Sequence, residues 1–275
     1  MEMAVMKEMR RTEFEGFARI VYEHSGIKLE HHKRDLLQSR LRKRLRALAF
    51  DSFKGYFQYL VSDETGLELG QMLDCVTTNK TEFFRESRHF EHFMGTVLPG
   101  LKRAHKDPVR IWSAACSTGE EAYGLAMCAV EVLEKVRPVK VLGTDLSHRV
   151  LAKALEGRYE REIAENIPSG WLSKYFHLEK NGKESFFQVS PELRELTQFS
   201  RLNLNGTEYP FSSRFDVIFC RNVMIYFDQP VQQILVERLT RVLKHGGYLY
   251  TGFSESLLRV RHGLKSVAPS VYLKP

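Results

Sequence analysis

The chain has 275 residues, 43% hydrophobic and 27% charged, the balance of a folded protein with a sizeable core and room for one or two domains. No apolar run approaches the roughly 18 residues that span a bilayer, and the first residues lack a signal-peptide core, so a cytoplasmic protein is expected. The 41 Lys+Arg against 34 Asp+Glu leave a net charge of +7, concentrated between Lys28 and Arg46, where eight bases meet only Glu30 and Asp35; such a patch suits an acidic partner.

From Thr12 to about Arg88 the pattern is helical. In Lys33–Ala49 the spacing of Leu37, Leu41, Leu45 and Leu48 makes one apolar stripe, with Arg42, Lys43 and Arg46 on the opposite face. Asp51-Ser52-Phe53 reads as the cap of a helix carrying Tyr56, Phe57 and Leu60 inward. Asp63–Gly66 is a loop, and Leu67–Val76 is helical again. His89–Pro108 reads as a linker with breakers at Pro99-Gly100 and Asp107-Pro108.

Beyond it elements alternate. Strands are expected at Val109–Ala114, Val139–Thr144, Phe215–Cys220 and Tyr248–Phe253, the last entered through a Gly246-Gly247 turn. Helices are expected at Thr118–Val136, Ser147–Glu156 and Pro230–Leu243. Alternation of this kind implies a largely parallel sheet covered on both faces. Ser270–Lys274 reads as a final strand paired to Tyr248–Phe253. Between Tyr175 and Phe199 two strand-like runs flank Asn181-Gly182, which points to a small antiparallel insertion.

Arg110–Tyr123 followed by Val141–Asp145 carries the strongest chemical signal. It reads as a strand, a small-residue turn, a helix, and a second strand ending in an acid, which is the outline of a nucleoside-cofactor half-site. Only Gly119 of a Gly-x-Gly-x-x-Gly fingerprint is present. A cofactor without phosphates, such as S-adenosylmethionine, fits better than a dinucleotide. In Thr77–Arg85, Asn79, Thr81 and Arg85 read either as a capped helix end or as a pocket wall pinned by Phe83 and Phe84. Arg221-Asn222 and Asn203-Leu204 follow strand ends, where ligands of open α/β sheets bind. The four cysteines, Cys75, Cys116, Cys128 and Cys220, have no metal-site spacing, and no metal is expected.

Thr77–Arg85, Trp112–Tyr123, Gly143–Asp145, Phe219–Asp228 and Gly252–Ser256 together resemble the chemotaxis receptor methyltransferases, the CheR family, in order over nearly the whole chain. The resemblance implies an all-α N-terminal domain (about 1–88), a linker (89–108), and a Rossmann-like class I methyltransferase domain (109–275) with a small β insertion at about 175–199. It implies methyl transfer from S-adenosylmethionine to glutamate side chains of bacterial chemoreceptors, giving γ-methyl esters and S-adenosylhomocysteine.

By motif position, Asn79, Thr81 and Arg85 would meet the cofactor from the N-terminal side. One of Glu120 and Glu121 would take the methionyl amino group, with Glu120 preferred. Asp145 would hold the ribose hydroxyls, and Asn203, Leu204, Arg221, Asn222 and Val223 would surround the adenine. Arg85 and Tyr226 would stand at the methyl-transfer point. Two departures stand out: Ala122 replaces a common Pro, and the turn Lys180–Lys183 is shorter than in members that tether to a receptor's C-terminal pentapeptide. The partner implied is the cytoplasmic helical region of a chemoreceptor, reached by the basic helix, with the enzyme monomeric and peripheral to the membrane.

Other classes fit less well. A nucleic-acid methyltransferase would need a base-amino motif or an aromatic-interleaved basic strip, and neither is present. A non-catalytic sensor of S-adenosylmethionine would not need Arg85, Asp145, Asn222 and Tyr226 together.

Overall fold

The computed structural model describes residues 8–104, 107–134, 136–181 and 184–275. Its N-terminal part is four helices: α1 (Arg11–Ser25), α2 (Arg34–Ala47), α3 (Phe53–Ser62) and α4 (Leu67–Val76). α1 stops at Gly26, whose φ of 75° is left-handed and easiest for glycine. Ser52 caps α3 by accepting the Gly55 N–H. The α2 leucine stripe faces inward as its period demands: Leu37, Leu41 and Leu45 share one core with Phe17, Tyr56 and Met72. Beside the stripe, Arg44 pairs with buried Glu68, which also accepts the Tyr56 hydroxyl at 2.6 Å.

The stretch expected as a linker is helical instead. α5 (Arg88–His92) runs through a π-helical turn, Phe93–Val97, into α6 (Leu98–Arg103). Pro99 has no N–H to donate one turn back, and the widened turn, in which the Leu98 N–H reaches Phe93 O, accommodates it. Phe90, Phe93, Val97 and Leu98 are buried against the sheet, so tertiary packing overrides the breaker signal.

The remaining elements in chain order are β1 (Val109–Ala114), α7 (Glu120–Leu133), β2 (Val139–Asp145), α8 (His148–Glu156), β3 (Arg158–Glu160), α9 (Trp171–Tyr175), β4 (Phe176–Asn181), β5 (Glu184–Val189), α10 (Pro191–Leu196), β6 (Thr197–Arg201), β7 (Phe215–Cys220), α11 (Gln229–Val242), β8 (Leu243–Thr251), β9 (Lys265–Ala268) and β10 (Val271–Leu273). The large sheet has the order β6-β2-β1-β7-β8-β10-β9. β6, β2, β1, β7 and β8 are parallel, and β10 runs antiparallel to β8 and β9. Alternate residues of the central strands enter opposite cores. Ile111, Val217 and Phe219 pack with α5 to α7 on one face, and Trp112, Ile218 and Leu249 with α11 on the other. This is the Rossmann-like arrangement, with its switch point between β1 and β7.

Two strand expectations are corrected. β8 begins at Leu243 and runs through Gly246-Gly247 rather than starting after a turn there, because Gly246 N–H and Gly247 O both bond Lys274. β10 pairs with β8 as expected, but a further strand, β9, adds on its other side and forms the sheet edge. The small sheet, β3-β5-β4, recruits β3 from before the expected insertion, while β6 belongs to the large sheet. Gly182 and Lys183 of the short turn lie outside the described residues. No helix among the described residues is long and apolar enough to cross a membrane.

Candidate functional site

The carboxyl ends of β1, β2 and β7 open into a cavity, and the N-terminal helices wall it from the other side. Its lining includes Ile27, Lys28, Leu36 and Arg40 from the α1–α2 region, Thr77–Glu82 and Arg85, and then Ala115–Ser117, Glu121, Asp145, Leu202–Leu204, Arg221–Val223 and Tyr226. Three contacts pin the α1–α2 connection to the loop after β7. Lys28 N–H donates to Tyr226 O at 2.9 Å, Ile27 bridges Phe227, and Tyr22 donates to Asp228 Oδ2 at 2.9 Å.

The turn between β1 and α7 takes a left-handed backbone at Ala115, Ser117 and Gly119, an arrangement costly for residues with a Cβ and typical of functional turns. At Gly119 a Cβ would also lie 2.9 Å from Ala154 Cβ. The fold pins this turn through Asp145, whose Oδ2 accepts Ser117 N–H and whose Oδ1 accepts Ser147 N–H, each at 3.0 Å. Burial pushes the Asp145 carboxyl up, and these backbone donors partly offset the shift.

Glu120 and Glu121 part company here. Successive helical residues project about 100° apart, so only one can face the cavity, and that one is Glu121. Glu120 turns away and accepts the Thr118 hydroxyl at 2.8 and 2.7 Å. Of the two, the cavity thus takes Glu121 rather than the preferred Glu120. Glu121 accepts from Ser113 Oγ at 2.6 Å and pairs with Arg221 at 3.0 Å. Burial raises its carboxyl while Arg221 opposes the rise.

Arg221, its side chain 1% exposed, is the hub. It also pairs with Glu86 at 3.0 Å and donates to Arg85 O. Glu86 in turn accepts Asn222 Nδ2 at 3.1 Å. Burial pushes Glu86 up, but hydrogen bonds from Asn222 and Arg221 prevail and hold it below the usual carboxylate value. Phe84, Glu86 and Asn222 all have φ near +56° (55°, 56° and 57°), so left-handed residues bracket Arg85 and meet Asn222 across one carboxylate.

Asn79, Thr81, Arg85, Leu204, Val223 and Tyr226 line the cavity; Asn79 O accepts Ser117 Oγ, and Arg85 donates to Lys80 O. Asn203 lines it too, but spends its amide N–H on His24 O at 2.6 Å. Sequence reasoning missed Glu86, Glu255 and Arg40. Glu255 lies inside a motif block, and Glu86 directly follows one. Arg40 directly precedes Leu41 of the buried stripe, and it bonds Val76 O and Thr78 Oγ1.

The geometry suits a ligand with a diol at one end and a cationic amine at the other: two carboxylates, buried Asp145 and half-buried Glu121, face one cavity that also has apolar walls. The family model described as "CheR methyltransferase, SAM binding domain" matches residues 79–273, and "CheR methyltransferase, all-alpha domain" matches residues 12–77. A chemotaxis protein methyltransferase of Borreliella burgdorferi is 38% identical, covering 96% of this chain and 94% of its own. Chemotaxis protein methyltransferase 2 of Pseudomonas aeruginosa is 39% identical (95% and 92%), and the chemotaxis protein methyltransferase of Escherichia coli is 36% identical (94% and 89%).

Proposed function

The chain belongs to the CheR methyltransferase family, an S-adenosylmethionine-dependent enzyme family, and from that premise we propose that it methylates glutamate side chains in the cytoplasmic helical region of chemoreceptors. The observation that carries this reading is the shared cavity, in which Asp145, Glu121 and Arg85 converge from the sheet and the helical part.

When bound, S-adenosylmethionine supplies a methyl group on a sulfonium, electrophilic without further activation. In this reading Asp145 takes the ribose hydroxyls and Glu121 the methionyl ammonium. Asn203-Leu204 and Asn222-Val223 flank the adenine, with Arg221 fixing Glu121 and the strained loop. Asn79 and Thr81 close the N-terminal side. A receptor glutamate has a pKa near 4.3 and is already an ionised nucleophile at neutral pH, so the chain needs no general base. Its task is to align the carboxylate at about 3–3.5 Å from the carbon it attacks and to exclude water. Arg85 orients that carboxylate and Tyr226 closes the mouth. Ion pairing tighter than orientation requires would oppose a reaction that discharges the carboxylate.

The helical part would dock the receptor. Lys43 and Arg46 are exposed on α2 and Arg42 half-buried beside them, a face matched to an acidic helical partner.

The test is transfer of labelled methyl from S-adenosylmethionine to membranes containing chemoreceptors, followed by mild alkali. Label released as methanol is the expected result and identifies carboxyl esters. Base-stable label would reassign the acceptor to nitrogen, and cofactor binding without transfer to any receptor tested would overturn the enzymatic reading in favour of a sensor.

A further inference from the structure

The loop after β7 supplies Arg221, Asn222, Val223 and Tyr226 to the cavity, yet no sheet neighbour spans it and Asn222 holds a left-handed backbone. One of the holds on it comes from the end of β8. Glu255 is 5% exposed, and its Oε2 accepts the N–H of Asn222 and the N–H of Gly252, each at 2.6 Å. Its Oε1 accepts the Ile225 N–H at 3.3 Å. One carboxylate thus serves three backbone donors from two loops that have left the sheet. Gly252 is part of the device: a Cβ there would lie 2.6 Å from Glu255 Oε2 and 2.7 Å from Asn222 Nδ2.

We propose that Glu255 is a positioning residue of the cofactor site, clipping the Asn222–Tyr226 loop into its cavity-facing conformation. The proposal rests on the cofactor reading above and assigns Glu255 no contact with the reacting atoms. The chemistry requires a carboxylate. Both oxygens must accept, since the donors are main-chain N–H groups that cannot reverse. A glutamine of the same shape would turn an NH2 toward one set of them, and a buried donor left without an acceptor costs enough to let the loop relax. Cofactor binding would then have to restore the loop first, and affinity would fall by the fraction of molecules in which it is restored.

Glu255→Gln and Gly252→Ala are to be compared with the unaltered chain by calorimetric titration of S-adenosylhomocysteine and by hydrogen exchange of residues 221–227. The expected result is roughly 10–100-fold weaker binding in Glu255→Gln, with faster exchange in 221–227 and unchanged exchange in β7. Gly252→Ala should shift both readouts the same way by displacing the carboxylate without removing its charge, and it decides the matter if Glu255→Gln does not fold. A lowered melting temperature with unaltered affinity and unaltered exchange at 221–227 would overturn the positioning role and leave a merely structural one. If the unaltered chain itself failed to bind S-adenosylhomocysteine, the cofactor reading would fall, and the positioning role with it.

Discussion

Two adjacent glutamates at the start of α7 separate into a cavity residue and a structural one, and this separation can be tested at single-residue resolution. Glu121→Gln removes a charge facing the cavity and half of an ion pair with Arg221; S-adenosylhomocysteine should bind roughly 10–100-fold more weakly by calorimetry. Glu120→Gln keeps an oxygen for the Thr118 hydroxyl, so affinity should stay within about threefold. Its effect belongs instead to the pH dependence of stability. Burial raises the Glu120 carboxyl, so the folded state holds that proton more tightly than the unfolded one. Its contribution to stability falls as pH climbs from the ordinary carboxylate value to the raised one, and it stays lost above. The melting temperature of Glu120→Gln should therefore gain on the parent across that window, whereas parallel profiles would show that Glu120 ionises at no cost. Glu86, held low by Asn222 and Arg221, has the opposite sign: its contribution is present above the ordinary value and is lost as pH falls through the lowered one. Which glutamate faces the cavity was not legible in the sequence, because the turn before α7 sets the helix rotation through left-handed residues that composition does not reveal.

At the scale of elements, α2 divides its arginines between two tasks. Arg44 forms a bidentate pair with Glu68, whose side chain is 3% exposed and also holds Tyr56. Arg44→Ala leaves a buried charge without its partner and should lower stability by about 3 kcal/mol in denaturant titration. Reversing Arg42, Lys43 and Arg46 to Glu should leave stability and cofactor affinity nearly unchanged while raising the receptor KM. The receptor KM of the parent should rise with salt over the same range, because exposed charges are screened beyond about 8–10 Å; receptor kinetics indifferent to both changes would remove α2 as the docking face. The α2 stripe could be read from sequence because its period is local and Leu37, Leu41 and Leu45 are all buried, with Leu48 partly so at the helix end. α5, α6 and β9 could not. Pro99-Gly100 imitates a break that a π turn absorbs, and β9 exists only because β10 returns beside it. The extension of β8 through Gly246-Gly247 likewise depends on Lys274, far away in sequence.

At the scale of the whole molecule, the cavity has no complete wall in either half of the chain. The sheet supplies Asp145, Glu121 and Asn222, and the helical part supplies Arg40, Asn79 and Arg85. The halves are joined at the mouth by Tyr22–Asp228, Lys28–Tyr226 and Asn203–His24. A ligand enclosed this way binds only when both halves are folded and joined, so its binding free energy stabilises both. S-adenosylhomocysteine at a hundred times its dissociation constant should add about 2.7 kcal/mol to the resistance of the folded state. That gain should protect amides of α2 and α4 as well as those of β1 and β7 in hydrogen exchange. Tyr22→Phe deletes one joint and leaves the ring, and it should weaken ligand binding by roughly tenfold or more, about the worth of one hydrogen bond to a charged group. Protection confined to the sheet would mean that the helical part only lies beside the site, and Tyr22→Phe would then leave ligand affinity where it was.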